Sequence, residues 1–359
     1  MSNAIGLDLG SRAIKAVHLN KAKEGYALAY AAHREIPFVD EDVPRDEIRA
    51  DALKQFIREG GVKSKEVTVS LSGEYTQIRP AEMPRMTEDE LRHVLPIEIE
   101  QYIATNPEES VVDFQILGDA KNDNTKMNVL VVAGRLEASE TIYNAMMLVK
   151  LKCTAVDVDD LALANMFDVN YAWEEDYKKT VALLNVGNRL TSLLIFDEGV
   201  LRFVRPITVA GETLTKDIQR EFALKAEQAE DLKREQGKIV IEDASSFSLT
   251  MFDRDDRTLR IYETISTSLT KMLAEIKRCF DYYDTQYKGK SVERILLSGG
   301  GSRLRNIEKY LSDKLGVPVD FADPFRQIRV PTKGALGQLV EAYSASFSVG
   351  VGLALRRFV

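Results

Sequence analysis

The stretch IGLDLGSRAIKAVHL, Ile5–Leu19, decides how the rest of the chain is read. A short apolar strand carries an aspartate, Asp8, turns at Gly10-Ser11, and returns as a second strand that holds Lys15. Taken alone, this fits an ordinary hairpin with polar residues at its corner. It also fits a loop built to hold a phosphate. Glycine lets the backbone approach an anion closely, and consecutive N–H groups form a nest for it. Ser11 adds a hydroxyl donor, Lys15 a compact positive charge, and Asp8 a carboxylate able to hold Mg²⁺ through water.

The bulk properties narrow the choice. A chain of 359 residues is too long for one ordinary core, so at least two domains are expected. With 45% hydrophobic and 29% charged residues it has the balance of a soluble globular protein. A formal charge of −8 argues against non-specific nucleic-acid binding, which a basic surface supplies. Cys153 and Cys279 lie far apart and read as reduced thiols of a cytosolic protein. His18, His33 and His93 show no metal-ligand spacing and read as surface or half-buried residues. No run approaches the roughly 18 apolar residues of a membrane span. The best one, Met127–Gly134, has the length of a buried strand, and the N-terminus enters a strand with no basic-then-apolar signal. The expected location is the cytoplasm, with any membrane role exercised through partners.

Along the chain, strands at Ile5–Leu9, Ala13–Leu19 and Tyr26–Glu35 form a meander, followed by a helix over Arg45–Glu59 and a strand over Glu66–Ser72. That order opens an RNase H-like α/β domain. Thr87 and Glu90 have capping-box spacing, so a helix should begin at Glu88 with Leu91, Leu95, Ile99 and Tyr102 on one face and a kink at Pro96. Strands Val111–Leu117 and Met127–Ala133 and a helix over Ser139–Leu151 complete a small subdomain. From Thr180 the meander returns as VALLNVG, RLTSLLIFDEG and VLRFVRPITV. Helices follow over Glu212–Phe222 and from Ala226, then an acidic, irregular patch around Asp253–Arg257. A long amphipathic helix then carries Ile265, Leu269, Leu273, Ile276, Phe280, Tyr283 and Tyr287 as its stripe. The halves echo one another, which suggests an internal duplication with a ligand cleft between the copies.

Three further motifs bear on that cleft. LLNVGNRLTSLLIF supplies Gly187 and Thr191, which fit either a second phosphate loop or a turn with a partly buried threonine. ILLSGGGSRL runs from a strand through Gly299–Gly301 towards a helix bearing Leu304, Ile307, Leu311 and Leu315 and stopped by Gly316. Bare glycines there offer a flat surface to a base or ribose and a helix N-terminus to an anion, or simply allow tight packing. Glu230 and Lys233, three apart on a helix, fit a solvated ion pair when read alone.

Together these motifs resemble the actin-like ATPase superfamily. More narrowly, nearly the whole chain resembles the PilM family of type IV pilus assembly proteins, through IGLDLGSRAIKAVHL, PRMTEDELRHVLPIEIEQYI, VVDFQIL, AVDVDDLALANMF, FVRPITVAGETLTKDIQREF, AEQAEDLKRE, ILLSGGGSRL and SVGVGLALR. The resemblance implies an α/β actin-like ATPase fold in which two RNase H-like domains flank a nucleotide cleft, with a small FtsA/PilM-type 1C subdomain. Residues 1–75, 156–178 and 345–359 would form subdomain 1A, 76–155 subdomain 1C, and 179–344 domain 2. Asp8, Gly10, Ser11, Arg12 and Lys15 would make the first phosphate loop, and Asn185, Gly187, Asn188, Arg189 and Thr191 the second. Gly211, Glu212 and Thr213 would open the helix near the ribose. Glu230, Lys233, Gly299, Gly300, Gly301 and Ser302 would approach the adenosine, and Ser348–Gly350 would be the second interdomain connection.

One departure stands out: Asn185 replaces the aspartate that usually begins the second loop. An amide keeps the hydrogen-bonding shape but loses the charge and proton acceptance that orient metal-bound water. Asp8 is left as the main acidic group, with Mg²⁺ held through water. ATP or ADP is expected to bind, with hydrolysis slow or absent, and no catalytic residue is assigned.

The function implied is a cytoplasmic adaptor, peripheral to the inner membrane, that holds the N-terminal cytoplasmic tail of PilN in a groove between 1A and 1C and links it to the pilus motor. Met83, Met86, Leu91 and Tyr102 are candidates for the groove wall, and core packing explains them equally. Motor ATPases and a second copy of the chain are the other partners the resemblance allows. Alternatives on the same fold fit less well. A small-molecule kinase needs a catalytic base in the cleft, which no Gly- or Asn-flanked aspartate supplies. An FtsA-like, filament-forming, membrane-associated protein carries a linker and amphipathic helix where this sequence reads LALRRFV, and an L-type secretion protein lacks the intact SGGGS.

Overall fold

The opening hairpin is the first of two. In a computed structural model describing residues 3–38, 45–104, 106–120, 123–171, 175–237, 239, 256–287 and 289–358, β1 (Asn3–Leu9) and β2 (Ala13–Lys21) run antiparallel with Asp8 opposite Lys15. β3 (Tyr26–Glu35) extends the meander, and after α1 (Arg45–Arg58) the strand β4 (Glu66–Leu71) joins β1 in parallel. Ile5 and Leu7 on one side of β1, and Val67 and Val69 of β4, pack with Leu53 and Phe56 of α1 in one core.

The chain then leaves for a three-stranded sheet of order β5-β7-β6, built from β5 (Thr76–Pro84), β6 (Ser110–Ala120) and β7 (Asp123–Arg135) and covered by α2 (Glu88–Glu98). The capping box at Thr87 and Glu90 is present, and Leu91, Leu95 and Ile99 pack on the sheet. Pro96 does not kink a longer helix: α2 stops two residues later and tightens into a 3₁₀ turn over Ile99–Gln101. Met83 and Leu91 are buried in the core of this sheet, and Met86 and Tyr102 pack against it, so core packing accounts for all four proposed groove residues.

α3 (Leu136–Leu148), β8 (Lys152–Val158) and α4 (Asp159–Tyr171) return the chain to the first sheet, with β8 parallel to β4. The second meander is β9 (Thr180–Val186), β10 (Thr191–Asp197) and β11 (Val200–Ile207). It is followed by α5 (Gly211–Phe222), α6 (Ala226–Gln236) and α7 (Asp256–Gln286), then β12 (Arg294–Ser298), α8 (Ile307–Leu315) and β13 (Val319–Phe321). The expected stripe of α7 is its buried face: Ile265, Leu269, Leu273, Ile276 and Tyr283 lie in the core of the second sheet, with Phe280 and Tyr287 packed on it. Of the acidic patch before that helix, residues 253–255 lie outside the described residues.

The sheets are ordered β14-β3-β2-β1-β4-β8 and β11-β10-β9-β12-β13. Apart from the short β14 (Ile328–Arg329), each is a meander whose first strand is joined by two parallel strands, so the duplication read from the sequence is a duplication of topology. β14 pairs with β3, so the first sheet regains the chain at Ile328, before the expected boundary at 345. α9 (Gly334–Tyr343) follows, and α10 (Ser348–Leu355) is buried along its whole length against β1 and α4. Backbones touch there: a Cβ on Gly352 would stand 1.7 Å from the Ala162 carbonyl oxygen, and one on Gly6 would stand 2.2 Å from that of Gly350. Among the described residues no helix is long and apolar enough to cross a membrane.

Candidate functional site: a cleft between the two hairpins

The turns of the two hairpins face each other across a cleft of about 600 Å³, within the ~300–1,000 Å³ range of small-molecule and cofactor sites. They solve one local problem in the same way. A Cβ on Gly10 would meet the Ala13 carbonyl oxygen at 2.8 Å, and a Cβ on Gly187 would meet that of Leu190 at 2.6 Å. Both turns therefore need glycine at the same place relative to the returning strand. Asn188 Nδ2 donates to Ser11 Oγ at 3.3 Å and joins the turns directly. Lys15 Nζ is 2.6 Å from Asp8 Oδ2, placing a buried ion pair on the cleft floor.

Of the residues expected at the site, Asp8, Gly10, Ser11, Arg12, Lys15, Asn185, Gly187, Asn188, Arg189, Gly211, Glu230, Lys233, Gly299, Gly300 and Gly301 line the cleft. Thr191, Glu212, Thr213 and Ser302 do not. Thr191 is buried and donates to the Val209 carbonyl, and Ser302 is buried and donates to that of Gly299. Glu212 turns to Lys216 and Arg189.

The helix-terminus reading of the glycine run is corrected as well. Gly300–Arg303 form a short 3₁₀ turn, Asn306 breaks the chain in the left-handed region (φ 66°), and α8 starts only at Ile307. No α-helix N-terminus stands behind these glycines. At the start of α5, the N–H groups of Gly211 and Glu212 are taken by the Gly187 and Asn188 carbonyls, at 3.1 and 2.6 Å. That helix end fastens the second turn.

Glu230 and Lys233 form a multiply bonded polar contact in the cleft. Lys233 Nζ donates to the Gly211 carbonyl (3.0 Å), Thr215 Oγ1 (2.8 Å) and Glu230 Oε2 (2.6 Å), which uses all three of its protons. Burial lowers the Lys233 ammonium from its ordinary value against the pull of Glu230. Burial also works to raise the Glu230 carboxyl, but Lys233, Thr215 and Arg234 together outweigh it and hold the group at about 2. Lys233 is thus a strut between α5 and α6, and the carboxylate retains accepting capacity towards the cleft.

The sequence reading missed several cleft residues. Asp159, the first residue of α4, lies deep beside Asp8, and Ser70 Oγ donates to it at 2.5 Å. Burial, then the charge of Asp8, push its carboxyl up to about 8. Asp159 is thus a second carboxyl on the cleft wall beside Asp8. Arg234 reaches across the cleft and donates to both Glu35 carboxylate oxygens, at 2.9 and 3.0 Å. Arg189 likewise reaches across to Glu74 and donates to its Oε1, at 2.7 Å. His33 stacks on Tyr343 with 4.3 Å between ring centroids, and Arg303 lies over the same ring. Burial, then the neighbouring Lys15, hold the imidazole at about 4, so it is neutral near pH 7. The AVDVDD run before α4 was the available signal for Asp159; the cross-cleft pairs had none.

Among the described residues no group of three or more acidic, histidine or cysteine side chains is gathered to hold a metal. Asp8 and Asp159 both line the cleft and offer hard oxygen donors. That donor set suits Mg²⁺ retaining most of its water.

The family model described as type IV pilus assembly protein PilM matches residues 6–358. Among solved structures, a PilM-PilN type IV pilus biogenesis complex is similar with a TM-score of 0.82 and 27% identity, covering 98% of both chains. MreB5 of Spiroplasma citri bound to ADP is similar in fold, with a TM-score of 0.52 and 15% identity over 98% of this chain and 95% of that one. The cell division protein FtsA of Bacillus subtilis (strain 168) is 22% identical over 298 residues, 76% of this chain. The chain spans just under two thirds of that relative's length, 66%. The architecture is the actin-like ATPase fold, two similar α/β halves around a cleft.

Proposed function

Since the chain belongs to the family of type IV pilus assembly protein PilM, we propose that it is a nucleotide-holding adaptor of the pilus assembly platform. It binds ATP or ADP in the cleft, takes the N-terminal cytoplasmic tail of a PilN-type partner between the first and three-stranded sheets, and links that partner to the pilus motor. Its place is the cytoplasmic face of the inner membrane, reached through the partner. The observation that carries the nucleotide reading is the matched pair of glycine turns facing one another across the cleft. The ADP-bound relative of the same fold and the complex with PilN support the ligand and the partner respectively.

In this reading the phosphates lie between the Gly10-Ser11 and Gly187-Asn188 turns, with Lys15 as their nearest cation. Asp8 holds Mg²⁺ through its water shell, and Asp159 is the second carboxylate facing that ion. Glu230, fixed by Lys233, accepts a ribose hydroxyl, and Gly299–Gly301 give the adenosine a bare backbone surface. The neutral Asn185 leaves turnover slow or absent. The test is a calorimetric titration with a peptide copying the N-terminal cytoplasmic segment of PilN from the same genome, with and without ATP and Mg²⁺. Micromolar or tighter binding is expected; no binding in either state overturns the adaptor reading.

A further inference from the structure

The three-stranded sheet is attached to the rest of the molecule by two connections, and both form part of the cleft wall. The chain enters it through Ser72, Gly73, Glu74 and Tyr75, between β4 and β5, and leaves it through Arg135, the last residue of β7, directly before α3. The Arg135 guanidinium lies 5.6 Å from the centre of the Tyr75 ring, so the two connections are packed on each other. The second hairpin turn presses on the same place from the opposite half. Arg189 donates to Glu74 at 2.7 Å, and the Leu190 side chain comes so near Gly73 that a Cβ there would meet it at 3.2 Å. That turn also holds Ser11 through Asn188 and the start of α5 through its carbonyls. Beyond the root, β5 lies against β11 of the second sheet.

From this we infer that the Arg189–Glu74 ion pair is a mechanical link between the phosphate turn and the root of the three-stranded sheet. A ligand that orders Gly187–Leu190 draws Arg189 into a fixed position. Arg189 then fixes Glu74, one residue before Tyr75 and two before β5. Occupancy of the cleft thereby sets the orientation and rigidity of the sheet on which the partner peptide is proposed to dock. The inference rests on the nucleotide reading above and adds a direction of control to it. Each side chain of the pair is about one third exposed, and a pair in that setting carries roughly a two- to fivefold change in an equilibrium. That is enough to bias a docking surface without locking it.

Hydrogen–deuterium exchange on the full chain tests this, with ADP and Mg²⁺ at saturation and without nucleotide. In the wild type, nucleotide slows exchange in both hairpin turns and also in β5 and β7. In Glu74→Gln the protection of the Gly10–Lys15 segment persists, while the response of β5 and β7 falls by about two- to fivefold. Glu74→Asp, which keeps the carboxylate, retains most of that response. Protection of the turns without any response in β5 and β7, or a response unchanged in Glu74→Gln, overturns the link while leaving the nucleotide reading intact. No protection at either turn, with no binding heat, overturns both.

Discussion

Lys233 Nζ lies 2.6 Å from Glu230 Oε2 and spends its other two protons on Thr215 and the Gly211 carbonyl. A lysine so placed has nothing left to give a ligand. Lys233→Met leaves the buried Glu230 carboxylate with only Thr215 and Arg234. Breaking one side of a buried pair costs about 3 kcal/mol or more. Calorimetry should show a lowered Tm, with Lys233→Arg recovering part of the loss.

Glu230 also gives the protein an acid limit. Folding lowers its carboxyl from 4.5 to about 2, so the stability it lends is complete above its ordinary value and disappears as pH falls through that window. The contribution is on the order of 3 kcal/mol. Urea titrations between pH 6 and pH 3 should show the wild type losing stability with falling pH more steeply than Glu230→Gln.

Asn185→Asp would place another carboxylate near Asp8 and Asp159, which already repel each other enough to help push Asp159 up to about 8. Without metal the variant is expected to be less stable than the wild type, and Mg²⁺ with nucleotide should recover the loss. Phosphate release from ATP under single-turnover conditions should rise by on the order of tenfold or more, as a proton acceptor is restored. An unchanged rate would locate the slow step elsewhere than at residue 185.

Gly352→Ala drives a methyl group to 1.7 Å from the Ala162 carbonyl oxygen, which is backbone and cannot turn aside. Overpacking of this kind costs roughly 1–3 kcal/mol, occasionally more. The expected outcome is a lowered Tm with reduced soluble yield. Gly316→Ala, at a helix end with nothing within 4 Å, isolates the cost of a left-handed backbone (φ 68°) from that of a clash.

The two meanders were legible because short apolar runs are punctuated by glycine turns, at Gly10 and Gly25 in the first and Gly187 and Gly199 in the second; the long α7 was legible because its stripe has a helical period. α4 escaped the sequence reading for the opposite reason. It is enclosed on most sides, with Ala162, Leu163, Met166, Phe167 and Val169 all buried, so no polar face gives it a period. β5 escaped because it carries two prolines, Pro80 and Pro84, on an edge strand. At the site, residues near a glycine turn could be found by motif. Glu35 and Arg234, which meet across 199 positions of sequence, could not, since charge complementarity at that range has no local trace.

The helix α10 is a structural staple of the sheet that the ribosome makes first. Its backbone lies directly against Gly6 of β1 and Ala162 of α4, yet it is synthesised more than three hundred residues after β1. The second sheet and its helices come from one continuous span, β9 to β13, and can close while the chain is still emerging. The side of β1 and β2 that bears Val17 and Leu19 gains α10 only when the chain is nearly finished. The first sheet is therefore expected to complete its packing after the second, and a chain cut short before Ser348 would leave that side of its first strands without α10.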